Sequence, residues 1–199
     1  MKRPIVILLI TLFVSAEMNA QSAFTALGIK GGLNVSGMQT DNTLIVSNKT
    51  KTGWQFGVFS HSIKQGWGYW LEANIMTLGS TQVLGDESQQ NTIGYIAIPV
   101  AMQYRTENKI GFSLGGYASF RLWAKRKSTK VGIGDFKANI KDNIAFMDYG
   151  AFVGLAYSTH RFLFDLRYLQ GIPNINTNSQ INVKTHNTSG QFSIGYQIK

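Results

Sequence analysis

Three histidines, six charges set inside alternating segments and one dense run of lysine are the residues through which this chain could do chemistry. His61 stands in Ser60-His61-Ser62, and His160 and His186 are the other two. A serine hydrolase needs Ser, His and a carboxylate converging within hydrogen-bond reach. In an extended segment adjacent side chains point to opposite faces, so His61 cannot pair directly with the serine on either side. Three scattered histidines without supporting ligands make a poor metal site. Cysteine is absent, which removes thiolate ligands, disulfides and a lipoprotein anchor. Gly132-Ile133-Gly134 is followed by no helix that could hold a phosphate at its N-terminus. The reading is therefore no catalytic residue, no metal and no cofactor.

The charges suggest different chemistry. Lys30, Arg121 and Arg167 face Glu72, Asp148 and Asp165 in number, three basic against three acidic, all on one parity of their segments. Equal counts are what burial demands, since an unpaired buried charge is costly. These six are expected to form a structural ion-pair network in a narrow lumen; a polar conduit is the alternative. The lysine run is separate. Lys125, Arg126, Lys127, Lys130, Lys137 and Lys141 stand against Asp135 and Asp142, a net of +4 between residues 125 and 143. Such a loop is either simply solvated or a contact for anionic lipopolysaccharide phosphates, drawn by ordinary charge attraction. Asn34-Val35-Ser36, Asn48-Lys49-Thr50 and Asn187-Thr188-Ser189 match a glycosylation triplet that arises often by chance.

The start of the chain indicates where these groups work. Met1-Lys2-Arg3 precedes an apolar run from Ile5 to Ala16 and a small residue, Ala20, before Gln21. A basic start, a short apolar core and a small-residue exit describe a secretory signal peptide over 1–20. A membrane helix needs about 20 apolar residues, and this run is roughly half that length. Without Lys2, Arg3 and Glu17 the remaining 179 residues carry 17 basic and 9 acidic groups. Charged residues make up 15% of the chain, against about 25% in ordinary soluble domains. That length suits one domain, 21–199. No later segment is apolar for long enough to form a membrane helix. A mature chain that crosses a membrane must then do so as a closed barrel, which satisfies its own backbone.

Eight segments alternate with period two. Their apolar members run Leu27, Ile29, Leu33, Val35; Trp54, Phe56, Val58; Tyr69, Leu71, Ala73, Ile75; then Ile96 to Tyr104 and Ile110 to Leu122. Met147 to Tyr157, Phe162 to Tyr168 and Phe192 to Ile198 complete the set. Most segments are long enough to cross a bilayer as tilted strands, which takes about 9–11 residues. Short turns are expected near 64–66, 106–108 and 159–161, and long polar loops over 36–51, 79–91, 125–143 and 171–187. Strict alternation of long and short connections is the pattern of outer-membrane barrels, with short turns periplasmic and long loops external.

Face assignment follows from charge. None of the 26 charges after residue 20 falls on the apolar parity. A lysine or arginine facing lipid at the midplane costs about 2–4 kcal/mol. The opposite parity holds mostly Gly, Ser, Ala, Asn and Gln, small enough for the crowded interior of an eight-stranded barrel. A soluble lipocalin-like barrel would instead carry many Lys and Glu on its wet face. The expected fold is all-β, an eight-stranded antiparallel up-and-down transmembrane barrel. Pro99 lies inside the fourth segment, where a lost donor predicts an edge, a bulge or another irregularity.

Gly28-Ile29-Lys30-Gly31-Gly32-Leu33-Asn34, Tyr95-Ile96-Ala97-Ile98-Pro99, Asp148-Tyr149-Gly150 and Leu166-Arg167-Tyr168-Leu169-Gln170-Gly171-Ile172 occur in this order. In order and spacing the chain resembles the PorT-like outer-membrane β-barrel family of Bacteroidetes-type bacteria, over the whole segment after the signal. The resemblance implies an outer-membrane barrel and accounts for Pro99. Two positions depart from the pattern: Ala97 replaces a commonly acidic residue, and the chain ends Ile198-Lys199 rather than in an aromatic. The functional expectation is a structural or interaction barrel whose external loops meet lipid, lipopolysaccharide or an envelope protein. A narrow pore is the alternative, and an outer-membrane lipid hydrolase or a soluble binder comes last. Nucleic acid is not an expected partner.

Overall fold

The computed structural model describes residues 26–40, 47–62, 65–84, 87–130, 134–177 and 184–198. The expected signal segment 1–20 lies outside them. Among the described residues nine strands form one antiparallel sheet: β1 Ala26–Thr40, β2 Ser47–His61, β3 Gly66–Leu84, β4 Glu87–Arg105, β5 Ile110–Lys130, β6 Gly134–Asn139, β7 Met147–Ser158, β8 Phe162–Gly171 and β9 Thr185–Gln197. β4 pairs with β5 and β1 pairs with β9, so eight strands close a ring. β6 stands outside the ring and extends the outer end of β5. The expected eight-stranded barrel is the observed one.

Alternation fixes which way each side chain points. Leu114 is 66% exposed while its neighbour Ser113 is 5% exposed. Leu33, Phe56, Met102, Leu155, Leu166 and Phe192 share the outward face. An apolar belt of this extent far exceeds the patch that a soluble monomer leaves in water, and it is the surface a bilayer covers.

The interior is packed. Phe59, Trp70, Ala101, Tyr117, Phe152, Ala156, Leu163 and Leu169 form one buried cluster towards the short-turn end. Met38, Met76, Leu78, Ile93, Tyr95, Ala97 and Ala124 form a second towards the opposite mouth, joined by Ile140 and Ile175 from the connections. Phe59 fits because β1 and β9 carry glycine beside it. A Cβ on Gly195 would lie 2.7 Å from Phe59 Cε1.

Two of the short turns use one device. Thr106 Oγ1 donates to the Ile110 carbonyl at 3.1 Å and accepts from Ile110 N–H at 3.3 Å. Thr159 Oγ1 does the same with Phe162, at 3.1 and 3.0 Å. Local hydroxyl bonding of this kind competes with the ladder and closes a hairpin.

Two of the long connections differ from expectation. β3 and β4 keep one register out to Leu84↔Glu87, and β4 and β5 stay paired, through one register shift, out to Glu87↔Lys130. The loops expected over 79–91 and 125–143 are thus mostly strand, and the second folds back as β6 before a short 3₁₀ turn at Lys141–Asn143. Polar residues such as Thr81, Gln82, Gln89 and Gln90 lose nothing by continuing a ladder beyond the bilayer, where both faces meet water. Polarity was the misleading signal.

Pro99 behaves as its chemistry requires. The β3–β4 ladder is unpaired between Leu71↔Val100 and Asn74↔Ala97, at the level of Pro99 and Glu72, with the register unchanged on either side. The register shift falls further along, where Gly94 pairs with Trp123 and Tyr95 with Arg121, leaving Leu122 as the extra residue.

Candidate functional site

Lys30 lies on β1 between Gly57 of β2 and Gly195 of β9. With no side chain on either flank, it extends across the lumen and reaches two carboxylates. Its Nζ is 2.8 Å from Glu72 Oε1 and 3.1 Å from Asp165 Oδ2. Arg167, on β8 beside Gly154 of β7, meets the same two, Asp165 on its own strand and Glu72 across the lumen on β3. Its Nη2 is 2.7 Å from Glu72 Oε1, and its Nε is 2.8 Å from Asp165 Oδ2. All four side chains are at most 3% exposed.

Neutral donors complete the coordination. Asn74 Nδ2 donates to Glu72 Oε2 at 2.6 Å, Ser193 Oγ to Asp165 Oδ2 at 3.3 Å, and Trp70 Nε1 to Glu72 Oε1. The Arg167 guanidinium lies over two rings, its Cζ 4.7 Å from the Trp70 centroid and 4.8 Å from that of Phe152. A desolvated cation over an aromatic face gains about 2 kcal/mol. Two positive and two negative charges cancel, with hydrogen bonds satisfying the rest, which is the condition under which a buried ion cluster is tolerated.

Two of the six charges expected in this network bond elsewhere. Asp148 accepts from Asn187 Nδ2 at 2.9 Å, and the same amide reaches the Tyr95 hydroxyl at 3.2 Å. Arg121 Nη1 donates to the backbone carbonyls of Lys141 and Ile144. It pairs with Tyr95 just before the bulge at Leu122, which places it at the outer mouth, beyond the reach of the four-charge cluster. There it ties down the 140–145 segment. Ala145 N–H donates to the Ile175 carbonyl at 2.8 Å and Thr177 N–H to that of Asn143 at 3.1 Å, so two connections interlock. Ile140 and Ile175, 5% and 1% exposed, seat into the mouth over Met38, Met76 and Tyr95.

The basic segment is a β-hairpin with two faces. Ala124 belongs to the interior cluster, so Trp123, Lys125 and Lys127 point outward. Their partners Thr92 and Gln90 on β4, and Asn139 and Lys137 on β6, share that face. Trp123 lies across Gly94, where any Cβ would strike the indole. Together with Leu122 and Lys141 these residues line a concave groove of about 760 Å³. Arg126 also borders it, with Nε held 2.9 Å from Asn91 Oδ1. Lys130 is not part of the groove; it ends β5 opposite Glu87. Asp135 takes Lys127 Nζ at 2.7 Å, and that bond with the Thr129 hydroxyl holds its carboxyl below the ordinary aspartate value.

The histidines are far apart in kind. His61 is buried at the short-turn end, its Nδ1 3.3 Å from Arg105 Nη2 and its Nε2 3.3 Å from Gln197 Nε2. His160 is exposed in a short turn and His186 lies at the other end of the barrel, on β9. Among the described residues no group of three or more His, Asp or Glu could hold a metal ion. Sequence reasoning missed Trp70, Phe152 and Asn74 as partners of the ion cluster. The available signal was Trp70 itself, a large aromatic on the inward parity, two residues before Glu72.

The fold is that of solved outer-membrane barrels. Neisserial surface protein A superposes with a TM-score of 0.54 at 11% identity, covering 86% of this chain and 97% of that one. The attachment invasion locus protein of Yersinia pestis, Ail, solved with the heparin analogue sucrose octasulfate, gives 0.50 at 14% identity, over 87% and 98% of the two chains. No curated protein matches the sequence. The family model described as the outer membrane protein beta-barrel domain matches residues 19–177, and with the closed ring and outward apolar belt this establishes that the chain is an outer-membrane β-barrel protein and belongs to that family.

Proposed function

We propose that this barrel is a sealed, non-enzymatic anchor that displays external β-hairpins to its surroundings, where they contact lipopolysaccharide or an envelope protein. The observation that carries the reading is the filled lumen. The four-charge cluster and two apolar clusters occupy the interior, and Ile140 and Ile175 close the outer mouth. A conduit would need a wetted path, and the four central charges that could line one are bonded to each other. What projects from the membrane is rigid paired strand, suited to presenting a surface.

The finer placement among PorT-like proteins rests on the order of the motifs around Lys30, Pro99, Asp148 and Arg167. Residues 1–20 serve in this reading as the export signal. The histidines support no hydrolytic role, since His61 is engaged by Arg105 and Gln197 at the end remote from the external hairpins.

Planar-bilayer recording of the purified mature chain tests closure. No steady conductance is expected. A stable open level that is lost in Lys30→Ala or Glu72→Ala would replace the sealed anchor with a narrow pore.

A further inference from the structure

The hairpin's basic groove faces sideways rather than away from the cell. Tyr95 and Ile93 point into the lumen, so alternation sets Gly94 and Thr92 on the outer wall, and Trp123 and Lys125 pair with them on the same wall. Directly below, on the same side, Ile96 and Leu122 continue the apolar belt, Leu122 at 42% exposure. The groove therefore begins where hydrocarbon ends, at the depth of lipid headgroups.

Its charge is one-sided. Lys125, Lys127, Lys137 and Lys141 line it, and Asp135 is the sole acidic residue between 122 and 141. Among the described residues Asp135 holds only Lys127 at salt-bridge distance. A further cation arrives from β2. Lys51 Nζ donates to Thr92 Oγ1, and it passes over Gly79, where a Cβ would lie 3.3 Å from Lys51 Cδ. Trp123 supplies a flat apolar floor over Gly94.

We propose that this groove binds the phosphorylated headgroup of a lipopolysaccharide molecule in the outer leaflet, with the lysines on its phosphates and Trp123 against the apolar part beneath. The inference rests on the external hairpins being the interacting part of the barrel, and gives that contact its site and ligand class. A soluble polyanion would be met from above and would not need the indole or the adjoining apolar belt; a lipid needs both. Cations clustered at one depth beside Trp123 match a ligand with charge at one end and acyl chain at the other.

The test measures lipopolysaccharide retained by the full mature chain after detergent purification. The groove variant K125Q/K127Q/K137Q/K141Q is compared with K109Q/K130Q/K184Q, which removes charge elsewhere. The groove variant is expected to lose about tenfold or more in binding, since several exposed pairs add where one alone is weak. The control should retain it. Dephosphorylated lipopolysaccharide should bind no better than to the groove variant, and free inorganic phosphate should not compete. Trp123→Ala should weaken lipopolysaccharide without changing the salt dependence of what remains. Equal retention by both variants, or undiminished binding of the dephosphorylated lipid, overturns the site. Competition by inorganic phosphate reassigns it to a soluble anion and likewise overturns the proposal. Heat-modifiable migration verifies folding; should the fourfold variant not fold, Lys125→Gln and Lys141→Gln singly carry the same comparison. Conductance tests closure and lipid retention tests the groove, so the two readings fail separately.

Discussion

Trp70 and Arg167 share one carboxylate oxygen: the indole N–H and Arg167 Nη2 both donate to Glu72 Oε1, while the guanidinium carbon sits 4.7 Å over the indole. The two residues come from β3 and β8 on opposite walls of the barrel, so this contact spans the lumen. The cluster thereby acts as a cross-brace as well as a charge balance.

Arg167→Ala should be strongly destabilising, by about 3–5 kcal/mol, because it leaves Glu72 and Asp165 buried with only Lys30 to compensate. Arg167→Lys should recover only part of the loss, since an ammonium lacks the planar guanidinium that bonds the carboxylates through separate nitrogens while lying over the Trp70 and Phe152 rings. Urea midpoints of the refolded barrel in detergent measure this. Equal stability of Arg167→Ala and the parent would refute the bracing role.

Arg121→Ala should behave differently. Its guanidinium holds the carbonyls of Lys141 and Ile144, not a carboxylate. Barrel stability should fall by only about 1–2 kcal/mol, the cost of unpaired acceptors. Protease cleavage within 140–145 should rise, because the tie to that segment is gone. A loss as large as that of Arg167→Ala would place Arg121 in the central brace after all.

Cysteine labelling reports topology cleanly in a chain with no cysteine of its own. Cysteines introduced at Glu87 and Gly134 should react on intact cells, and those at Gln65 and Asn108 should react only after the outer membrane is permeabilised. Equal labelling of all four contradicts short turns on the periplasmic side.

Asp135→Asn should raise lipopolysaccharide retention by freeing Lys127 from its partner. The sign with pH follows from the lowered carboxyl value: the Lys127–Asp135 pair is fully formed above aspartate's ordinary 3.8 and is lost only as pH falls through the lowered value. Across the neutral range the gain in Asp135→Asn should therefore be constant. A gain that appears only in acid would show that Asp135 does not hold Lys127.

The barrel was legible because lipid enforces a simple rule. Leu33, Phe56, Leu114 and Phe192 fall on one parity and no charge joins them, so each segment announced its own face. Lys30, Glu72, Asp165 and Arg167 were legible as inward charges for the same reason. Their partners were not. Which inward residues meet depends on strand register and shear, and the pairing of Arg121 with Tyr95 sets it at the mouth instead of the centre. The Trp70 and Phe152 rings flanking Arg167 lie far apart in sequence, and no local pattern joins them. The outer hairpins were misjudged because Thr, Gln and Ser read as loop wherever apolar alternation stops, although a paired ladder needs no apolar face in water.

Closing a sheet into a ring removes every free strand edge, yet β6 restores one, since it pairs with β5 and with no other strand among the described residues. An unpaired edge invites another chain to dock its backbone, and a densely populated membrane surface supplies many candidates. β6 is only six residues long, opens with a glycine at positive φ, and sets Asp135 and Lys137 along its length. Brevity and alternating charge make that edge a poor template, which keeps neighbouring copies from zipping together through their exposed hairpins. The same lysine that lines the groove thus also guards the molecule against self-association.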